Sequence, residues 1–102
     1  MGYTLIIKED AHNDATAAYN YYEEQQAGLG ERFLIALEAG YRDISLHPEY
    51  YSFIAEDARQ ILRDVLLDTF PYTVVFEVMN EVVIVYAVHN TYYRPDKKTG
   101  RK

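Results

Sequence analysis

Cysteine is absent from this 102-residue chain. That excludes disulfide staples and thiolate metal sites, and it is compatible with a reducing cytoplasm. No apolar run approaches the length of a membrane span. The opening segment, Met1 to Glu9, lacks a basic leader and has too short an apolar stretch for a signal peptide. No linker, repeat or low-complexity segment interrupts the chain. Positive charge is scarce over most of its length: residues 1–93 hold five Lys and Arg against fifteen Asp and Glu, a balance of −10. An acidic body of this kind repels phosphate, so extended direct nucleic-acid binding by it is excluded.

What is present is an ordinary globular composition, with 49% hydrophobic and 25% charged residues. The length predicts one domain over residues 1–102, large enough to bury a core. Eleven tyrosines stand out in the absence of tryptophan. Tyrosine suits a binding surface, since its ring adds contact area at low entropic cost; the competing reading is half-buried core. Residues 94–102 reverse the charge, with Arg94, Lys97, Lys98, Arg101 and Lys102 against Asp96. This short C-terminal tail is either the one basic patch or a solvated chain end.

Residues 3–8 read as a strand, and Asp10 stands where a helix N-cap is expected. Ala11, Ala15, Ala18, Tyr19 and Tyr22 then mark one face of a helix. Gly28-Leu29-Gly30 breaks that pattern and predicts a tight joint. Phe33, Leu37, Tyr41 and Ile44 mark a second helix, which His47-Pro48 stops. Beyond residue 50 the period becomes that of strands, predicted at 51–54, 61–67, 72–79 and 82–88. Asn80-Glu81 has hairpin length but lacks the favoured glycine. The expected fold is α+β: a strand, an antiparallel helix hairpin, then a mostly antiparallel sheet meander with one face on the helices and one face open.

Several of these segments also carry a family likeness. Tyr21-Tyr22-Glu23-Glu24-Gln25 followed by Gly28-Leu29-Gly30-Glu31-Arg32-Phe33 resembles the helix-hairpin signature of ParE-like toxins. His47-Pro48, Phe70-Pro71-Tyr72 and the run ending Val85-Tyr86-Ala87-Val88-His89 resemble later family segments, in the family's order. Residues 3–95 thus resemble the RelE/ParE toxin superfamily, which includes plasmid stabilisation proteins, on its ParE-like side. The physical reasons for these residues are mostly structural: glycines for the joint, Pro71 to direct the chain into a strand, Phe70 and Tyr72 expected on opposite sheet faces. The resemblance implies a toxin silenced by a bound antitoxin. RelE-like members cut messenger RNA in the ribosome, whereas ParE-like members inhibit DNA gyrase and have no accepted catalytic residues.

RNA cleavage without a metal needs a base, an acid and cations at the phosphate. RelE-like proteins resemble one another in placing several Arg and Lys on the open face. Here Arg63 stands where the family often has an arginine pair, but Asp64 and Asp68 follow it. The last predicted strand closes on His89, with Tyr92, Tyr93 and Arg94 beyond; the family's arginine three after the histidine is replaced by Tyr92. Arg63, His89 and Arg94 are the candidate catalytic constellation, and Tyr86, Tyr92 and Tyr93 the candidate binding residues. The alternative for His89 is a hydrogen-bonded strand end with tyrosines packed on the sheet. His12, His47 and His89 show no ligand spacing, so neither a metal nor a cofactor is expected. The leading expectation is a ParE-like toxin acting by binding, docked to its antitoxin largely by apolar contact. The alternatives are a RelE-like ribosome-dependent endonuclease and a decayed, non-toxic member that keeps only antitoxin binding.

Overall fold

The computed structural model describes residues 2–93, with the side chain of Tyr93 excepted. Strand β1 (Thr4–Ile7) runs directly into helix α1 (Glu9–Gln25), which turns back into helix α2 (Leu29–Leu46). Strands β2 (Leu62–Leu66), β3 (Tyr72–Met79) and β4 (Val82–Asn90) follow. They form one sheet in the order β1-β4-β3-β2, with β1 parallel to β4 and the other pairs antiparallel. The helix hairpin covers one face, as the hydrophobic periods predict. Among the described residues no helix is long and apolar enough to cross a membrane.

Helix α1 begins earlier than the sequence suggests. Lys8, not Asp10, is the N-cap, with extended backbone and no side-chain cap. The Lys8 N–H still belongs to the sheet edge, donating to the Val85 carbonyl at 2.9 Å. The chain therefore passes from strand to helix without a loop, and Glu9 and Asp10 fall in the first turn, where negative charge favours the exposed N–H groups. Ala11, Ala15 and Ala18 are buried, and these small side chains let α1 lie close against β4.

The joint between the helices is built by Glu23. Its carboxylate accepts the N–H of Gly28 at 2.9 Å and of Gly30 at 3.0 Å. The last turn of α1 thus supplies the side-chain acceptor that the N-cap of α2, Gly28, cannot. Gly28 makes the turn at φ 91°, a left-handed conformation that glycine adopts freely. Gly30 has a different task. It lies inside α2, and a Cβ there would come within 2.8 Å of the Tyr19 ring, the Tyr19 carbonyl and Glu23. It is glycine because the helices touch at that point.

Phe33, Ile44, Val74, Phe76, Val83 and Val85 are fully buried between the hairpin and the sheet. Tyr22, Phe33, Phe70 and Tyr72 form an aromatic cluster at one end, with ring centroids 4.9 to 6.1 Å apart. Phe70 and Tyr72 both join it, contrary to the expectation of opposite faces. Residues two apart along an extended chain share a face, and Pro71 between them turns outward. Two other sequence readings change. The predicted strand at 51–54 is a 3-10 turn at Pro48–Tyr50 followed by a single bridge from Phe53 to Arg63. The β3–β4 turn needs no glycine because Asn80 takes the left-handed conformation at φ 56°, which asparagine tolerates.

Candidate functional site

The uncovered sheet face is set by strand alternation. Val65, Val74, Phe76, Val83 and Val85 point to the helices, so their neighbours point away. The register brings Asp64 beside Val75, Leu66 beside Thr73, and Leu62 beside Glu77, with His89 across from Thr73. The pairing shifts by one residue at Val75/Phe76, leaving Tyr86 as an extra residue on β4. Such a bulge bends a strand and re-aims a side chain. Tyr86 accordingly reaches across the face, donating its hydroxyl proton to Glu77 Oε1 at 2.7 Å. That hydrogen bond, then burial, then the Glu77 charge raise the Tyr86 phenol above its ordinary value. Arg59, Ile61 and Leu62 complete a shallow pocket of about 380 Å³ around this pair.

Much of the rest of the face is apolar and wet. Leu66 is 62% exposed, Met79 49% and Ile6 45%. Its charged strand residues are Asp64 and Glu77, and no Lys or Arg on the four strands points to it. Arg59 sits at the rim, in the loop before β2, and is paired with Asp57 at 3.5 Å. Asp57 in turn accepts the backbone N–H groups of Leu62, Ile61 and Arg59, which hold its carboxyl below the usual range.

Arg63 is not part of this face. It pairs across the sheet with Phe76 and shares that residue's direction, toward the helix side. Its guanidinium donates to the Tyr51 carbonyl at 2.6 Å and lies 4.0 Å from the centroid of the Phe53 ring. Its Nε is buried with no hydrogen-bond partner. The side chain pins the 51–54 segment to the edge of β2. Arg63 and His89 are thus on opposite faces, and the proposed constellation is not assembled. Arg94, with the basic tail 94–102, lies outside the described residues.

His89 stands near the end of β4, partly buried. Beyond it, the Asn90 side-chain oxygen accepts the Tyr92 N–H at 2.8 Å, and the Thr91 N–H donates to the Pro71 carbonyl at 2.7 Å. These bonds turn the chain into the closing 3-10 turn Thr91–Tyr93. Tyr92 is 78% exposed at that turn, past the strand end, whereas Tyr86 lies mid-strand. The structure does not gather Tyr86 and Tyr92 into one patch. Sequence reasoning missed Glu77 and Arg59. The Glu77 position, opposite in parity to the buried Phe76 and the partly buried Val78, carried a signal that could have placed it on the open face. Among the described residues no group of three or more His, Asp or Glu could hold a metal ion.

No family model matches the chain, and no curated protein matches it. A solved structure does, described as the chromosomal ParDE TA system from P. aeruginosa. One of its chains aligns with 86% of this chain and 95% of its own length, with a TM-score of 0.71 and 14% identity. The architecture is therefore a ParE-like α+β fold, two helices on a four-stranded mixed sheet. At that identity the likeness concerns the fold, and function has to be argued from the site.

Proposed function

We propose that this chain is the toxin of a type II toxin–antitoxin pair, of the ParE-like kind: held silent by a cognate antitoxin, and acting by binding its target. In this reading residues 1–102 are one toxin domain with a basic tail at 94–102, working in the cytoplasm without a cofactor. The likeness to a chain of a ParDE TA system supports the class. The observation that carries the binding mechanism is the composition of the open face, where Asp64 and Glu77 stand and no strand cation does. Phosphoryl chemistry on RNA needs preorganised positive charge, and losing one such donor typically costs on the order of a hundredfold in rate. Exposed Leu66, Met79 and Ile6 instead offer desolvation energy to a protein surface. Tyr86 adds aromatic contact on this face and Tyr92 past its end, with Tyr93 kept beside them as a proposed binding residue. The antitoxin docks mainly through apolar area, as disordered antitoxin tails that fold on binding would. DNA gyrase is the target that the ParE-like side implies, and the ribosome the alternative.

One observation favours the endonuclease alternative. Tyr86, its partner Glu77 and His89 share the open face, with Arg59 at the rim. The deciding experiment is induced expression without the antitoxin, scoring growth, DNA supercoiling and messenger RNA integrity together. Growth arrest with changed supercoiling and intact messenger RNA is the expected result. Codon-dependent cleavage that His89→Ala abolishes would replace binding by catalysis. Unaffected growth would leave the non-toxic antitoxin-binding member.

A further inference from the structure

Strand β1 is shorter than β4. It pairs with residues 82–85, and the chain then leaves the sheet for α1. Among the described residues, the outer edge of β4 beyond Val85 therefore has no strand beside it. Past the bulge, the Val88 N–H faces this gap and donates to Asp14 Oδ2 of α1 at 3.0 Å. One carboxylate oxygen thus replaces the missing strand. Among the described residues the other makes no hydrogen bond or ion pair. The Val88 carbonyl lies on the same edge as its N–H, since both groups of a strand residue point the same way.

A groove of about 390 Å³ opens at this edge between α1 and the end of β4. Asp14, Ala17, Ala18 and Tyr21 form one wall, and Tyr72 with strand residues 88–90 forms the other. The alanines keep the α1 side low, while Tyr21 stands 55% exposed at the mouth. The acceptors offered here, among the described residues, are the second Asp14 oxygen and the Val88 carbonyl, with the His89 and Asn90 side chains lining the groove beside them. The Asn90 side-chain oxygen is already taken by the Tyr92 N–H.

Two acceptors beside phenol rings, on a body with a balance of −10 over residues 1–93, favour a flat, donor-only cation. A guanidinium has five N–H donors and no acceptor, pairs with carboxylates and stacks on aromatic rings. An ammonium is compact, more strongly hydrated and does not stack in this way. Phosphates and carboxylates are repelled by Asp14. We propose that the groove between α1 and the end of β4 receives an arginine side chain from a protein partner. The partner's guanidinium spans Asp14 and the Val88 carbonyl, with Tyr21 against its face. This needs a protein partner but does not depend on the toxin reading.

The test is a titration of the full chain with N-acetyl-arginine N-methylamide, followed by backbone amide NMR shifts. N-acetyl-lysine and N-acetyl-leucine N-methylamides serve as comparison arms. Saturable shifts at Val88, Ala17 and Ala18 are expected with the arginine compound, with clearly weaker responses to the other two. Asp14→Asn keeps a side-chain oxygen for the Val88 N–H and removes the charge. It should weaken arginine binding by about tenfold or more, as expected for loss of a charge-assisted bond. Tyr21→Ala alters an exposed side chain and should weaken it severalfold in a folded protein, so the outcome does not hang on the stability of Asp14→Asn. Absence of saturable shifts up to about 50 mM would overturn the proposal; so would equal responses to lysine or leucine, or affinity unchanged in both variants. For reference, 1 mM affinity is near the weak end of specific binding. Because the readout is direct binding, failure here would leave the growth experiment and the toxin reading standing.

Discussion

Replacing Gly30 by alanine sets two opposing effects against each other, and the structure decides between them. In an exposed helix interior, Gly→Ala stabilises by about 1 kcal/mol, because glycine loses more backbone freedom on folding. At Gly30 the new Cβ would lie 2.8 Å from the Tyr19 carbonyl oxygen, 2.8 Å from the Tyr19 ring and 2.8 Å from Glu23 Oε1. The ring and the carboxylate can shift; the carbonyl is fixed in the ladder of α1. The helices must therefore separate by several tenths of an ångström. That overpacking costs about 1–3 kcal/mol. It also stretches the bond from the Gly30 N–H to Glu23, a charge-assisted contact of about 1.5–3 kcal/mol. The net expectation is a loss of about 2–3 kcal/mol. For a chain of this size that lowers Tm by roughly 10 °C or more. Thermal melts followed by circular dichroism, paired with urea titrations, measure both values. Two companion variants rank the mechanism. At Gly28 a Cβ meets nothing within 4 Å, and the cost of Gly28→Ala is the left-handed backbone alone, about 1 kcal/mol. At Gly40 the new Cβ meets only the tip of Leu67 at 2.9 Å, which can rotate, so Gly40→Ala should be the mildest. Gly30→Ala as stable as wild type, or milder than Gly28→Ala, would refute close helix contact as the reason for this glycine.

Three further outcomes follow from the same structure. Arg63→Met should cost about 2–3 kcal/mol through loss of the bond to the Tyr51 carbonyl and of the contact with Phe53, and should speed hydrogen exchange at the Ile54 amide; unchanged exchange there would show that the 51–54 segment does not depend on Arg63. Burial first, and then the Asp14 charge, push the Tyr41 phenol up to about 12 from 10.0. A folded value above the unfolded one means that the contribution is complete below pH 10 and is lost as pH rises toward 12, so urea titrations across that window should fall less steeply for Tyr41→Phe than for wild type. Equal slopes would show that Tyr41 does not carry the linkage. Thr69 holds φ 66°, which strains a β-branched residue, and Thr69→Asn should raise stability by about 1 kcal/mol in thermal melts; a lower Tm would mean that the Thr69 contacts outweigh the strain.

The parts of the fold legible in the sequence are those with long, unbroken periods. The buried faces of α1 and α2 follow from Ala11, Ala15, Ala18, Phe33, Leu37 and Ile44, and the limits of β3 match the run from Tyr72 to Met79. The errors fall where a single long-range contact overrides local pattern. Arg63 converts the apparent strand at 51–54 into a pinned loop, and the hydrogen bond from Lys8 to Val85 moves the start of α1. The candidate site was less legible for a related reason. Strand parity assigns a residue to a face only if the strand has no bulge. Tyr86 sits in one, so its contact with Glu77 has no signature in residue spacing. Arg63 stands where the resemblance implies an arginine pair on the open face, while its register with Phe76 turns it to the other.

That division separates what the family-like residues report from what they do not. Glu23, Gly28 and Gly30 build the helix joint, and Phe70 and Tyr72 complete the aromatic cluster against Phe33. Each has a full explanation in folding, so resemblance at these positions is informative about architecture whatever the protein binds. The residues free to encode a target are those the fold does not need: Leu66 and Met79 on the open face, the Tyr86–Glu77 pair, and the vacant Asp14 oxygen beside β4. These differ in chemistry from a phosphate-handling surface, being apolar or hydrogen-bond accepting. Two sides of one small domain therefore offer separate contacts, an apolar sheet face and an acidic groove at the sheet edge. A protein partner that reached both would engage them at once, and linking two modest contacts through one chain raises overall affinity without either being strong alone.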